Sequence, residues 1–154
     1  LAAACGYKEI REDTVRRMCP RTTEESVFSF LRAVERGQDR EAVRLLSEML
    51  ETDNEPVRVL AAISGSFVNL ARVKAAEQAG IPRERLEEDM GYRKGDRALS
   101  VAYSNARRYP QEKLDRVLEL LNDTDRKLKS GAADKRIMLE QAMVRLALIV
   151  SGRT

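Results

Sequence analysis

The sequence predicts an all-α protein, a bundle of helices. Apolar residues recur at intervals of three and four along most of the 154 residues, which is the spacing of one face of an α-helix. No stretch alternates apolar and polar residues as a half-buried strand does, and no Asn-Gly or Asp-Gly hairpin pair occurs. A composition of 43% hydrophobic, 34% charged and only 5% aromatic residues is typical of a folded helical protein and not of a disordered chain.

The chain begins with a short module that is set apart from the rest. Ile10–Met18 has the pattern of a short amphipathic helix that stops before Pro20, and Arg21–Glu25 reads as a linker without a hydrophobic run. We therefore expect a boundary that divides residues 1–20 from residues 21–154. Because the first residue is Leu and no start signal follows, we expect the module to be the remnant of a domain in a longer protein.

Three helices are predicted next. The first ends at Gly37, and the second begins at about Asp39, so the two form an antiparallel hairpin. The third and longest runs over Glu55–Gln78 with Pro56 in its first turn, where a missing amide hydrogen is harmless. Gly65 lies in the middle of this helix and lowers its propensity by about 1 kcal/mol relative to Ala.

Two shorter helices follow, and they suggest one functional hypothesis. Pro82 begins a short charged helix that ends near Gly91, and a second helix runs from about Asp96 to Arg108. A short helix, a glycine turn and a helix with exposed Arg, Ser and Asn resemble a helix-turn-helix, whose second helix reads base edges in the major groove. Since many bundles share this pattern, a stand-alone nucleic-acid binder is the alternative hypothesis and not the leading one.

The stretch from Leu114 to Val150 is the most informative part of the chain. It predicts a helical hairpin, whose first helix begins at Pro110 and places Asp125 where its apolar stripe calls for another apolar residue. The second helix is apolar nearly all round, since the arc that holds its polar residues also contains three apolar ones. These six residues are Glu140, Gln141, Arg145, Ile137, Val144 and Leu148. Such a helix is either central to its own domain or covered partly by a neighbouring subunit.

Motifs for catalysis are absent from the sequence. It has no GxxxxGK[ST] phosphate loop, no GxSxG elbow and no histidine. Cys5 and Cys19 lack metal-ligand spacing and are expected to be free thiols. The acidic run Glu87-Glu88-Asp89 is expected to be a solvated face. A small helical enzyme is therefore the weakest hypothesis, and we expect no cofactor and no metal.

Charge is unevenly distributed although the net charge is only +3. Residues 35–55 hold seven acids against three arginines, whereas residues 93–113 hold six bases against two acids. An acidic face and a basic face suit a protein that binds a partner or nucleic acid. No apolar run approaches the ~20 residues that span a bilayer, and there is no signal peptide, so we expect a cytoplasmic location and no membrane contact.

Asp125 and Lys129 are spaced to form an ion pair across one helical turn. We expect this structural pair to hold Lys129 near the last carbonyls of the helix. The alternative is that Lys129, Ser130 and Gly131 form a loop of fixed shape that faces a partner or a phosphate. Burial of Asp125, which the apolar stripe suggests, would require such a partner for its charge.

Several stretches of this sequence resemble one protein family. They are VFSFLRAVERGQDREAVRLLSEML, LARVKAAEQAGI, a short helix that ends in MGY, NARRY, LNDTDRKLKSG and MLEQAMVRLAL. Together they look like the C-terminal part of the bacterial DNA polymerase III delta subunit, the clamp-loader component that opens the sliding clamp. The similarity covers about Arg21 to Leu148, and the Asp125–Gly131 run is its most specific piece. Glu87, where the family has a small apolar residue, and Arg93-Lys94-Gly95 depart from the pattern.

The resemblance implies an assembly role without catalysis. Residues 1–20 would end the lid subdomain of a AAA+-like module, and residues 21–154 would form the helical collar domain. The partners would be the collars of the other subunits, of the gamma/tau and delta-prime type, while the clamp would contact only an N-terminal domain that is absent here. DNA contact is possible in the full complex.

Within that framework we predict two sets of contact residues. The hairpin Leu114–Val150 is the expected subunit contact, with the apolar side chains Leu128, Met143, Leu146 and Ile149. The residues predicted to face DNA are Arg107, Arg108, Lys127 and Lys129.

Overall fold

The computed structural model describes residues 23–53, 55–131 and 134–152, and this part of the chain contains seven α-helices, one 3₁₀-helix and no strand. The all-α prediction is confirmed. The predicted module at residues 1–20, with both cysteines, lies outside the described residues. The helices are α1 (Thr23–Glu35), α2 (Asp39–Asp53), α3 (Pro56–Gln78), α4 (Arg83–Asp89), α5 (Arg97–Asn105), the 3₁₀-helix η1 (Ala106–Arg108), α6 (Gln111–Lys129) and α7 (Lys135–Ser151).

The central element is α3, which contacts each of the other six α-helices. Seven of its side chains are buried: Val59, Leu60, Ile63, Phe67, Leu70, Val73 and Ala76. Among the described helices, α3 is the one long and apolar enough to cross a bilayer by length and composition. Its packing against six neighbouring helices accounts for this apolar composition, because a helix at the centre of a bundle is covered on several sides.

The turn between α1 and α2 is closed by a glycine in the left-handed conformation. Gly37 has a φ of 66°, its amide donates to the Val34 carbonyl at 3.1 Å, and the Gln38 amide donates to the Ala33 carbonyl at 2.9 Å. These two bonds are the Schellman pattern that ends a helix. Because the connection is so short, α2 returns along α1 as an antiparallel partner, as the sequence predicts.

The second hairpin, α6 with α7, is fixed at both of its ends. At the start of α7 the Asp134 carboxylate accepts hydrogen bonds from the amides of Arg136 (2.9 Å) and Ile137 (3.3 Å), which satisfies two free amides of the first turn. At the other end Lys113 Nζ donates to the Val150 carbonyl at 3.0 Å. This bond joins the start of α6 to the end of α7, so the two helices are antiparallel.

One continuous hydrophobic core joins all seven α-helices of the described part. Leu114, Leu128, Leu139 and Leu146 are completely buried within it and come from the α6–α7 hairpin. The hairpin therefore belongs to the interior of the domain along one of its faces.

Candidate subunit-contact surface

Helix α7 has one buried face and one exposed apolar face. Its buried face consists of Leu139, Ala142, Met143, Leu146 and Val150. On the opposite side Ile137, Val144 and Leu148 are 51%, 59% and 45% exposed, beside the exposed Gln141 and Arg145. The polar arc identified in the sequence is thus the solvent side of the helix, and it carries three large apolar side chains.

The exposed face of α7 borders an apolar groove. Helices α2 and α7 both pack on α1, and between them lies a groove of about 470 Å³. Val43 of α2, which is 61% exposed, forms one rim, and Val144 and Leu148 form the other. We call this feature the α2–α7 groove. Its floor includes Phe30, Leu46, Met143 and Ala147.

The charged residues that line the α2–α7 groove are acidic. Asp39 and Glu140 are among its lining residues, and no Lys or Arg is. Glu140 accepts a hydrogen bond from Arg136 Nε at 3.1 Å, with both side chains about half exposed. The groove therefore offers an apolar centre with acidic groups at its edge.

The predicted subunit-contact residues need correction. Leu128 and Leu146 are completely buried in the core of their own domain and leave no surface for a subunit contact. Met143 is 3% exposed and contributes only to the floor of the groove, and Ile149 is half-buried against the core. The hydrophobic periodicity predicted the helix correctly, but its regularly spaced apolar residues are buried in the core of the domain. The side chains left exposed are Ile137, Val144 and Leu148.

The Asp125–Lys129 pair forms, but on the surface. Lys129 Nζ donates to Asp125 Oδ2 at 2.6 Å, and the two side chains are 62% and 37% exposed. The buried position in this turn of α6 is Thr124, whose hydroxyl donates to the Leu120 carbonyl at 2.7 Å. The suggestion that Asp125 is buried is therefore wrong, because the apolar stripe passes through the neighbouring residue.

The four predicted DNA-facing residues are all exposed but do not form one patch. Arg107 and Arg108 lie in η1, before the start of α6, whereas Lys127 and Lys129 lie in its last turn. At 1.5 Å per residue, the body of α6 separates the two pairs by more than about 20 Å.

Helices α4 and α5 use their polar side chains for internal contacts. Arg83 donates to Glu87 and to Ser100 Oγ, each at 2.8 Å, and its guanidinium lies 5.3 Å from the centre of the Tyr103 ring. Glu87 is only 5% exposed, so the prediction that its acidic run is solvated is wrong at this residue. Arg97, which lies on the helix that the helix-turn-helix hypothesis would place in the major groove, pairs with Glu25 at 3.0 Å. These contacts connect α4 to α5 and α5 to α1.

The fold and the groove together define a class of protein, namely a helical bundle domain that presents an apolar surface. Among the described residues, no group of three His, Cys, Asp or Glu side chains is arranged to hold a metal ion. The chain belongs to the family described as DNA polymerase III delta subunit, C-terminal domain, whose model matches residues 24–146. The resemblance seen in the sequence is confirmed.

Individual relatives agree with this assignment. The DNA polymerase III subunit delta of Bacillus subtilis (strain 168) is 23% identical over 139 residues, which are 90% of this chain and 40% of the relative. A solved structure, the Bacillus subtilis DNA clamp loader delta protein, has the same fold with a TM-score of 0.79 and 23% identity. The alignment covers 94% of this chain and 42% of that one. The chain thus spans about two fifths of the length of these relatives.

Proposed function

We propose that this chain is the non-catalytic assembly domain of a clamp-loader delta subunit. In this role it packs against the collar domains of gamma/tau-type and delta-prime-type subunits in the complex that loads the sliding clamp during DNA replication. Family membership supports the assignment to the clamp loader. The observation that carries the assembly role is the α2–α7 groove, whose apolar rims lie directly above the core.

The groove has the composition of a surface that is covered in an assembly. Val43, Val144 and Leu148 are each between 45% and 61% exposed, so covering each completely contributes about half of the roughly 1.5–3 kcal/mol gained when a fully exposed side chain of this size is buried. A partner helix that brings apolar side chains to this groove would cover them. Since Asp39 and Glu140 lie at the edge, basic residues beside the partner's apolar face would complement the groove.

The domain division is part of the same proposal. Residues 21–154 form the collar domain, and residues 1–20 end the lid subdomain of the preceding AAA+-like module. The sliding clamp is contacted by the N-terminal domain of the whole subunit and not by this part. The complex works in the cytoplasm.

Exposed basic residues supply a further element of the proposal. Lys127 and Lys129 at the end of α6, together with Arg107 and Arg108 in η1, face DNA that passes near the collar. Their separation along α6 means that they would contact different parts of the DNA.

The contact is tested by placing a charge on each rim of the groove. Val144→Asp and Val43→Asp should each weaken association of this chain with the collar domains of the other subunits by at least about tenfold, because an unpaired carboxylate would be buried at the contact. Sedimentation velocity or calorimetry of the mixed domains measures the change.

The matched control is Met90→Asp, which places the same charge on a methionine that is 48% exposed and lies outside the groove. It should alter the affinity by less than about twofold, as surface substitutions do. Circular dichroism shows that each variant is folded. If both groove variants are folded and bind as tightly as the unmodified chain, the α2–α7 groove is not the subunit contact.

A further inference from the structure

A second groove lies on another side of α1, between α1, α3 and α5, and has a volume of about 390 Å³. Four arginines line it, Arg32, Arg36, Arg97 and Arg108, and Glu35 is the one acid among the lining residues. We call it the arginine groove. It shares no lining residue with the α2–α7 groove.

The arginine groove carries positive charge that the described part of the chain does not neutralise. Glu35 accepts a hydrogen bond from the Tyr109 hydroxyl at 2.8 Å and lies 4.0 Å from the Arg108 guanidinium. Arg97 is paired with Glu25 at 3.0 Å. Arg32 and Arg36 are exposed, and neither guanidinium has an ion-pair partner among the described residues. Arg32, on α1, and Arg36, in the turn that follows it, are therefore available to an external anion.

The floor of the groove is apolar, and its aromatic rings are either buried or lie beside an arginine. It is formed by side chains such as Leu31, Leu70 and Val101. Phe67 and Tyr109 are only 2% and 4% exposed, and the Arg97 guanidinium lies over the ring of Phe28 at 5.9 Å. Single-stranded nucleic acid is held largely by bases that stack on exposed aromatic rings. A partner with aliphatic side chains and carboxylates fits this lining better.

We propose that the arginine groove binds an acidic amphipathic segment of another protein. The apolar side chains of the segment pack against the floor of the groove, and the carboxylates of the segment pair with Arg32 and Arg36. Arginine suits this task because its guanidinium binds a carboxylate through two parallel hydrogen bonds. The volume lies in the range of pockets that bury small ligands, so the groove accepts a few side chains and not a whole helix.

The probe is a labelled synthetic peptide in which leucines at helical spacing are separated by glutamates. Its affinity for the 154-residue chain is measured by fluorescence anisotropy, beside a polyglutamate peptide of equal length and a thymidine oligonucleotide of equal charge. We expect the leucine–glutamate peptide to bind most tightly. The double substitution Arg32→Glu with Arg36→Glu should weaken its binding at least about tenfold, because two attractive contacts become repulsive.

A control with the same change of charge separates the groove from the net charge. Arg58→Glu with Arg116→Glu alters two exposed arginines on α3 and α6 outside the groove, and it should change the affinity less than about threefold. Thermal unfolding shows that both double variants are folded.

Three results would overturn the proposal. One is equal affinity of the peptide for both double variants, and another is a polyglutamate peptide that binds as tightly as the leucine-containing one. The third is an oligonucleotide that binds more tightly than either peptide and loses affinity on substitution of Arg32 and Arg36, which would assign the groove to nucleic acid. None of these bears on subunit association through Val43 and Val144, so the two proposals fail separately.

Discussion

Tyr109 joins three elements of the bundle through a single side chain. Its ring packs edge-on against Phe67 of α3, with centroids 5.8 Å apart and an interplanar angle of 76°. Its hydroxyl donates to Glu35 of α1 at 2.8 Å. Burial raises the pKa of Tyr109 well above its ordinary value, and the charge of Glu35 raises it further. The phenol therefore keeps its proton in the folded state at a pH at which the unfolded chain has lost it.

This shift predicts a loss of stability at alkaline pH. The folded pKa is the higher one, so the stabilisation is fully present below the unfolded value of about 10 and declines as the pH rises from there through the folded value. Tyr109→Phe should lower the free energy of unfolding at neutral pH by about 1–2 kcal/mol, since a hydrogen bond to a carboxylate is removed. It should also make the decline above pH ~10 less steep.

Urea unfolding at a series of pH values measures both effects. Parallel alkaline declines in the free energy of unfolding for the original chain and Tyr109→Phe would contradict this assignment.

Glu87 shows how a residue can be misread when only its neighbours in sequence are known. Its two acidic neighbours and its place on a charged helix predict solvation, yet its side chain is buried and paired with Arg83. Ser100 and Tyr103 of α5 complete this cluster, and burial raises the pKa of the Tyr103 phenol. Because α5 supplies the other side of the cluster, the spacing of residues within α4 could not predict the burial.

At the scale of the element, α3 carries a glycine that its surroundings do not require. Gly65 lies in mid-helix on the exposed side, and a Cβ atom added there would meet no atom within 4 Å. At this position no neighbouring helix is near. What remains is the entropic disadvantage of glycine in a helix.

Gly65→Ala should therefore stabilise the fold by roughly 0.5–1 kcal/mol, because the unfolded chain loses freedom and no clash is introduced. Thermal or urea unfolding measures the change. The matched control is Gly80→Ala: Gly80 also has open space around it, but its φ of 66° is strained for any residue with a side chain. That variant should be destabilised by about 1 kcal/mol. Equal effects at the two positions would refute this explanation.

Helix α7 shows what hydrophobic periodicity can and cannot predict about the faces of a helix. The sequence separates its residues correctly into two arcs, and the structure turns the arc with Glu140, Gln141 and Arg145 towards solvent. The polar residues in the sequence mark the less buried arc, but the sequence places the subunit contact on the other one. Met143 and Leu146 are buried in the core. The surface of α7 that is available to a subunit is therefore the arc that also holds the polar residues.

At the scale of the whole molecule, the positive charges occupy separate regions. Lys127 and Lys129 lie at the end of α6, far from the arginine groove, and Lys129 is already paired with Asp125. The proposal that this end faces DNA predicts an effect of salt. Replacing both lysines by Ala should reduce the slope of log affinity against log salt for duplex DNA by up to about 1.8 in the full clamp-loader complex, at about 0.9 for each phosphate contact.

DNA binding by the assembled complex at several salt concentrations measures that slope. The control is Lys135→Ala with Lys94→Ala, which removes two exposed charges at other positions. A slope that the Lys127 and Lys129 substitutions leave unchanged would remove these lysines from the DNA contact.

The sequence by itself determined the all-α class, the order of the helices, and the stops at Gly37 and before Pro110. These features depend on interactions between residues close in the chain: helical periodicity, the left-handed freedom of glycine and the fixed φ of proline. The family resemblance was also present in the sequence, and residues 24–146 match the family model.

Only the tertiary structure decided which apolar residues are left for a partner. Leu146 and Val144 are two positions apart and equally apolar in the sequence, but one is completely buried and the other is 59% exposed. The difference depends on where α1, α3 and α6 lie around α7. The two grooves beside α1 likewise arise from residues distant in sequence, because no local pattern fixes the angle and distance at which helices pack.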